Sequence, residues 1–124
     1  MGKSQYLIVD DEAFIRKYMR AVFSNEAVIS TACNGREALE LLRNKHFDVI
    51  ICDVQMPDLN GMDLFKEVKS NKSDTCDKFI FCTGNITEDF FVFCTINEIP
   101  FCEKPIKLDV LKKIVHQVVK CDSN

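Results

Sequence analysis

The chain has no long run of Lys and Arg, no apolar stretch of membrane-spanning length, no Cys-x-x-Cys pair and no low-complexity linker. Each absence removes a class of function. With 19 acidic against 16 basic residues and a formal charge of −3, nothing here can track a phosphate backbone, so direct nucleic-acid binding is not expected. The first apolar run, Tyr6 to Val9, stops at Asp10-Asp11-Glu12, too short and too acidic-flanked for a signal peptide or a membrane span. The expectation is a cytoplasmic protein with no membrane insertion. Met1-Gly2 does not open a myristoylation pattern, because Tyr6 stands where Ser or Thr is required.

Cysteine, by contrast, is plentiful: Cys33, Cys52, Cys76, Cys82, Cys94, Cys102 and Cys121. An odd number without paired spacing argues against both a disulfide framework and a structural zinc site. Cys52, Cys82 and Cys102 fall inside or at the end of apolar runs, where a reduced cysteine behaves as a small hydrophobe, so inert core thiols are expected rather than a redox role.

The 124 residues, 47 % of them hydrophobic, suffice for one compact domain spanning 1–124. Short runs rich in β-branched and aromatic residues predict strands at Tyr6 to Val9, Val28 to Thr31, Asp48 to Cys52, Phe79 to Cys82 and Ile99 to Cys102. Several are apolar at consecutive positions, which implies burial on both faces. Between them, helical spacing joins Phe14, Ile15, Tyr18, Met19, Val22 and Phe23, then Ala38, Leu39 and Leu42, then Leu64, Phe65 and Val68. A last helix carries Leu111, Ile114, Val115, Val118 and Val119, ending near Lys120 with Cys121 to Asn124 behind it. No effector domain is expected in that tail, whether the chain stands alone or comes from a longer protein. Phe90-Phe91-Val92-Phe93 could be strand by propensity, but strict alternation of the units favours a fourth helix over Thr87 to Thr95. Turns are expected at Asn34-Gly35, Pro57 to Gly61, Asn71 to Asp74 and Gly84-Asn85.

Five strand-helix units in succession predict an α/β fold: a doubly wound five-stranded parallel sheet, flavodoxin-like in its 2-1-3-4-5 order, with helices on both faces. Ligands of such sheets sit at the carboxyl ends of the strands. Those ends hold Asp10-Asp11-Glu12, Asp53, Thr83-Gly84 and Glu103-Lys104-Pro105, all on one edge. Three converging carboxylates repel, and a hard divalent cation relieves the conflict while leaving positions open for a phosphate oxygen. Lys104 and the Thr83 hydroxyl approach from the other side. A metal, an ammonium, a hydroxyl and a carboxylate nucleophile are the parts that phosphoryl transfer to Asp needs. Singly, each has a local explanation: Asp10 to Glu12 as a helix cap, Asp53 as the start of a turn, Thr83 as a side-chain turn, Lys-Pro as a solvated loop. Together, on four strand ends of one sheet, they point to one site.

With these residues in place, the sequence resembles the response-regulator receiver family of two-component signal transduction, of the chemotaxis-regulator-like kind, over essentially its whole length. The likeness is carried by Leu7-Ile8-Val9-Asp10-Asp11-Glu12, Asp53-Val54-Gln55-Met56-Pro57 with Gly61 following, Thr83-Gly84-Asn85, and Lys104-Pro105. The resemblance implies that Asp53 is the phospho-acceptor, and that Asp11, Asp53 and the backbone carbonyl of Gln55 bind Mg²⁺ or another divalent cation such as Mn²⁺, with Asp10 acting through water. It implies that Lys104 pairs with the phosphoryl group across a cis bond to Pro105, that Thr83 moves to the phosphate, and that Phe101 is the aromatic switch. Gln55 and Asn85 fall where the family tunes water access to the acyl phosphate. The implied partners are a sensor histidine kinase or histidine phosphotransfer protein, and a downstream protein or effector domain whose identity is open. The implied role is a signalling switch, not a dedicated enzyme, although it takes part in its own phosphotransfer and dephosphorylation.

The chain departs from the family toward the proposed output face. The stretch from Thr83 to Lys104 is about one residue shorter than usual. Asn97-Glu98-Ile99-Pro100 holds no glycine where one commonly follows the fourth helix. The aromatic cluster Phe90 to Phe93 is either a deeply packed helix or a partner or dimer surface. Three other classes compete. A phosphatase-like hydrolase would want an acid where Gln55 stands; a flavin mononucleotide carrier would have its phosphate repelled by Asp10-Asp11-Glu12; an unphosphorylated docking module would have no use for a complete site.

Overall fold

The structure, a computed structural model, describes residues 3–71 and 73–121. Met1-Gly2 with its rejected lipidation pattern, Lys72 of the expected 71–74 turn, the Cys121 side chain and the tail 122–124 lie outside the described residues. In chain order the elements are β1 Ser4–Val9, α1 Ala13–Phe23, β2 Ala27–Ala32, α2 Gly35–Asn44, β3 Val49–Asp53, α3 Gly61–Asn71, a 3₁₀ turn Ser73–Lys78, β4 Phe79–Thr83, α4 Glu88–Asn97, β5 Phe101–Glu103 and α5 Leu108–Cys121. The strands form one sheet in the order β2-β1-β3-β4-β5, and every pairing is parallel. This is the doubly wound, flavodoxin-like arrangement that the alternating pattern predicts.

Strand periodicity explains why both faces carry a core. Leu7, Val9, Ile50, Cys52, Phe79 and Phe81 point to one face and pack on Leu42, Leu64, Phe65 and Phe90 from α2, α3 and α4. Tyr6, Ile8, Ile51, Ile80, Cys82 and Cys102 point to the other, against Met19 and Phe23 of α1 and Leu111 and Val115 of α5. All five residues of β3 and of β4 are buried. A side chain as large as Phe81 stabilises the fold by about 2–3 kcal/mol through such burial. The edge strands differ: Val28 in β2 is exposed, because an edge strand has a neighbour on one side only.

Several local expectations need correction. The fifth strand spans Phe101–Glu103, not Ile99 to Cys102. Glu98 closes α4 with φ 55 and ψ 46, its N–H reaching the carbonyls of Cys94 and Thr95, and after this left-handed turn the chain first meets β4 where the Pro100 carbonyl accepts the Phe81 N–H at 3.0 Å. The turn expected after α3 continues, over its described residues, as a 3₁₀ turn through Lys78. In α1, Phe14 and Tyr18 do not join the core; they stack on each other at the surface, ring centroids 6.2 Å apart. The helical reading of the Phe-rich segment holds: α4 starts where the Thr87 hydroxyl accepts the Phe90 N–H at 3.1 Å. The cluster is divided: Phe90 and Cys94 are buried while Phe91, Val92 and Ile96 are exposed. Apolar side chains thus lie on both the buried and the exposed sides of α4.

Candidate functional site: an acidic pocket at the strand ends

β1 delivers Asp10 and Asp11 to its carboxyl end, and β3, paired alongside in register Val9↔Cys52, delivers Asp53 next to them. One carboxylate oxygen from each of the three lies within 4.8 Å of the others. Asp10 and Asp53 are buried, Asp11 exposed, so the cluster has a closed floor and an open side. Hard oxygen donors so spaced suit a cation of the Mg²⁺ class.

Capping does not account for the acidic run. Glu12 is the N-cap of α1, yet its side chain makes no capping hydrogen bond. Asp10 instead turns back on its own loop, Oδ1 accepting from the Glu12 N–H at 2.9 Å. Its other oxygen faces Lys104, whose Nζ stands 3.2 Å from Asp10 Oδ2 and 3.3 Å from Asp53 Oδ1. Lys104 precedes the cis peptide to Pro105, as expected from the sequence.

The electrostatics follow from burial and crowding. Burial first, then the Asp10 charge, push Asp53 from an ordinary 3.8 up to about 6, with Lys104 opposing and Asp11 adding a little. Burial draws Lys104 down, but Asp10 and Asp53 outweigh it and its pKa is raised. The pocket therefore holds more negative charge than its one ammonium satisfies.

Thr83 is buried at the end of β4, but its hydroxyl is engaged locally: it accepts from the Asn85 N–H at 3.2 Å and donates to the Asn85 carbonyl at 3.4 Å. The side-chain turn considered from the sequence is real in this conformation. Phe101 is half-buried, its ring 5.2 Å from Phe90 and 6.2 Å from Phe91. Gln55 and Asn85 are both exposed beside the pocket.

A family model described as the response regulator receiver domain matches residues 6–116. The chain belongs to that family. Among curated relatives, the protein-glutamate methylesterase/protein-glutamine glutaminase of Methanococcus maripaludis is 34 % identical over 95 % of this chain and 35 % of its own length. The response regulator SaeR of Staphylococcus aureus is 32 % identical over 92 % of this chain and 54 % of its own. This receiver thus spans about a third to a half of the curated relatives it matches. Among solved structures, the chemotaxis protein CheY4 of Vibrio cholerae superposes with a TM-score of 0.82 at 26 % identity, covering 94 % of this chain and 99 % of that one. A CheY-like receiver from Methanospirillum hungatei reaches a TM-score of 0.86 at 22 % identity, covering 98 % of both chains, which speaks for the fold alone.

Membership gives the receiver its coarse role, a signalling switch of the phospho-accepting kind. No helix among the described residues is long and apolar enough to cross a membrane. Residue reasoning from the sequence missed two supports of the pocket. Arg16 Nη1 donates to the Asp10 carbonyl at 2.8 Å, pinning the acidic loop to α1; no spacing rule points to it. Asn60 caps α3, its Oδ1 accepting from the Asp63 N–H at 2.9 Å, and that Asn before a helix was a readable signal. Asn60 also lines, with Gln55, Met56, Met62 and Thr87, a cavity of about 540 Å³ beside the site.

Proposed function

We propose that this receiver accepts a phosphoryl group on Asp53 from the phosphohistidine of a sensor kinase or histidine phosphotransfer protein. The observation that carries the reading is the placement of Lys104 Nζ within 3.3 Å of both Asp10 and Asp53, over a cluster of three carboxylates. A divalent cation, Mg²⁺ or Mn²⁺, would be held by Asp11, Asp53 and the Gln55 carbonyl, with Asp10 acting through water; bound there, it offsets charge on the phosphoryl oxygens. An Asp53 oxygen attacks phosphorus, the donor's P–N bond breaks, and the imidazole leaves while Asp53 becomes a mixed anhydride. Lys104 then exchanges its contact with the Asp53 carboxylate for the new phosphoryl oxygens.

Thr83 would release its turn with Asn85 and bond the phosphate, and Phe101 would turn inward beside Phe90, carrying the change to α4, β5 and a downstream protein or effector. The domain acts over 1–124 in the cytoplasm as a switch rather than a dedicated enzyme. Gln55 and Asn85 would govern water access to the anhydride. Labelling from acetyl phosphate in Mg²⁺ tests the reading: the parent protein incorporates phosphate and Asp53→Asn does not. Retained labelling in that variant removes Asp53 from the role.

A further inference from the structure

Two buried thiols take no part in the chemistry above. The β4–β5 register pairs Cys82 directly with Cys102, so both side chains leave the same face of the sheet and enter the core shared with α1 and α5. Paired strands lie about 4.8 Å apart, inside the roughly 4.4–6.8 Å between Cα atoms that a disulfide spans. The two thiols are close enough to influence each other's ionisation, which is eased for Cys102 and made harder for Cys82, where burial also opposes it.

Access is unequal in the same sense. Cys102 lines a surface cavity of about 340 Å³ together with Pro105, Lys107 and Val110, whereas Cys82 lies behind it and does not line that cavity. Cys52 points to the opposite core layer and bonds the Asp53 carbonyl at 3.1 Å, so it does not compete for either sulfur.

We propose that Cys102 and Cys82 form an oxidisable dithiol, with Cys102 as the peroxide-reactive thiol and Cys82 as the resolving thiol. Cys102 sulfur attacks one oxygen of a hydroperoxide; the O–O bond breaks, and the departing oxygen takes the thiol proton and, for hydrogen peroxide, leaves as water. The resulting sulfenic acid is attacked by Cys82, the S–S bond forms, and the hydroxyl leaves as a second water with the Cys82 proton. Two thiols are oxidised by two electrons and one peroxide is reduced. The product ties β4 to β5 one residue before Thr83 and two before Lys104. The dithiol rests on no part of the phosphotransfer reading, and its test reads sulfur alone.

The folded protein is treated with hydrogen peroxide, its remaining thiols are alkylated, and the digest is examined by mass spectrometry. The expected result is one Cys82–Cys102 linked peptide, with far-ultraviolet circular dichroism unchanged. In Cys82→Ser the sulfenic acid should persist on Cys102 and be captured by dimedone; in Cys102→Ser the rate of Cys82 oxidation should fall at least about tenfold, the consequence of removing the thiol that lines the surface cavity. Cys82→Ala serves as the second variant where Ser perturbs folding. Oxidation confined to Cys33 and Cys76, a linked pair other than Cys82–Cys102, or no dimedone adduct on Cys102 would each overturn the proposal.

Discussion

Lys104 and Asp53 stand 3.3 Å apart, ammonium to carboxylate, brought together from β5 and β3 with β4 between them. Despite the ion pair, Asp53 has a pKa of about 6 rather than 3.8, because burial penalises its charge and the neighbouring Asp10 carboxylate repels it.

Asp53 should therefore burden the stability of the metal-free protein. Between pH 3.8 and about 6 the folded chain holds a proton on Asp53 that the unfolded chain has released, so stability falls as pH rises through that window. Asp53→Asn removes the burden and should stabilise the protein by about 1–3 kcal/mol at pH 7.5 in a chelator. Urea unfolding of both proteins across pH 4 to 8 checks it: the two curves should converge toward pH 4. A variant no more stable than its parent at pH 7.5 would contradict the electrostatic account.

Gly61 allows α3 to start against β3. A Cβ there would meet the Asp53 carbonyl oxygen at 2.7 Å and the Val54 Cα at 3.0 Å, both backbone atoms that cannot swing aside. The Gly61 N–H also donates to the Val54 carbonyl at 2.9 Å, fixing the approach. Gly61→Ala should cost about 1–3 kcal/mol in urea unfolding, the range for overpacking. It should also slow acetyl phosphate labelling, since relief of the clash displaces Asp53; parental stability would show that the loop yields freely.

Glu98 occupies the left-handed region at φ 55, where a side chain with a Cβ pays a steric cost and glycine pays little. Glu98→Gly should raise stability by about 0.5–1 kcal/mol, the gain being reduced by glycine's larger entropy when unfolded. Thermal unfolding against the parent protein reads it directly. A destabilised variant would mean that the Glu98 side chain contributes more than its backbone costs.

Much of the molecule was legible in the sequence because the signals are local. Continuous apolar runs in β1, β3 and β4 marked strands buried on both faces, and alternation with helices left few ways to wind them. Asp10, Asp11, Asp53 and Lys104 were legible as a site because strand ends of a parallel sheet share one edge. Phe14 and Tyr18 were misjudged because helical spacing reports which residues share a face, not whether another element covers it. The start of β5 was misplaced because a left-handed Glu98 has no reliable sequence signature.

The sequence by itself determined the order of elements, the two-faced core and the identity of the charged groups at the carboxyl edge, since period, propensity and residue chemistry are written along the chain. The tertiary structure alone decided that Lys104 bridges Asp10 and Asp53, that Arg16 pins the acidic loop and that Cys82 meets Cys102. The Lys104 and Cys82–Cys102 contacts depend on strand register joining segments tens of residues apart, and separations of a few ångströms between them exist only once the sheet has closed.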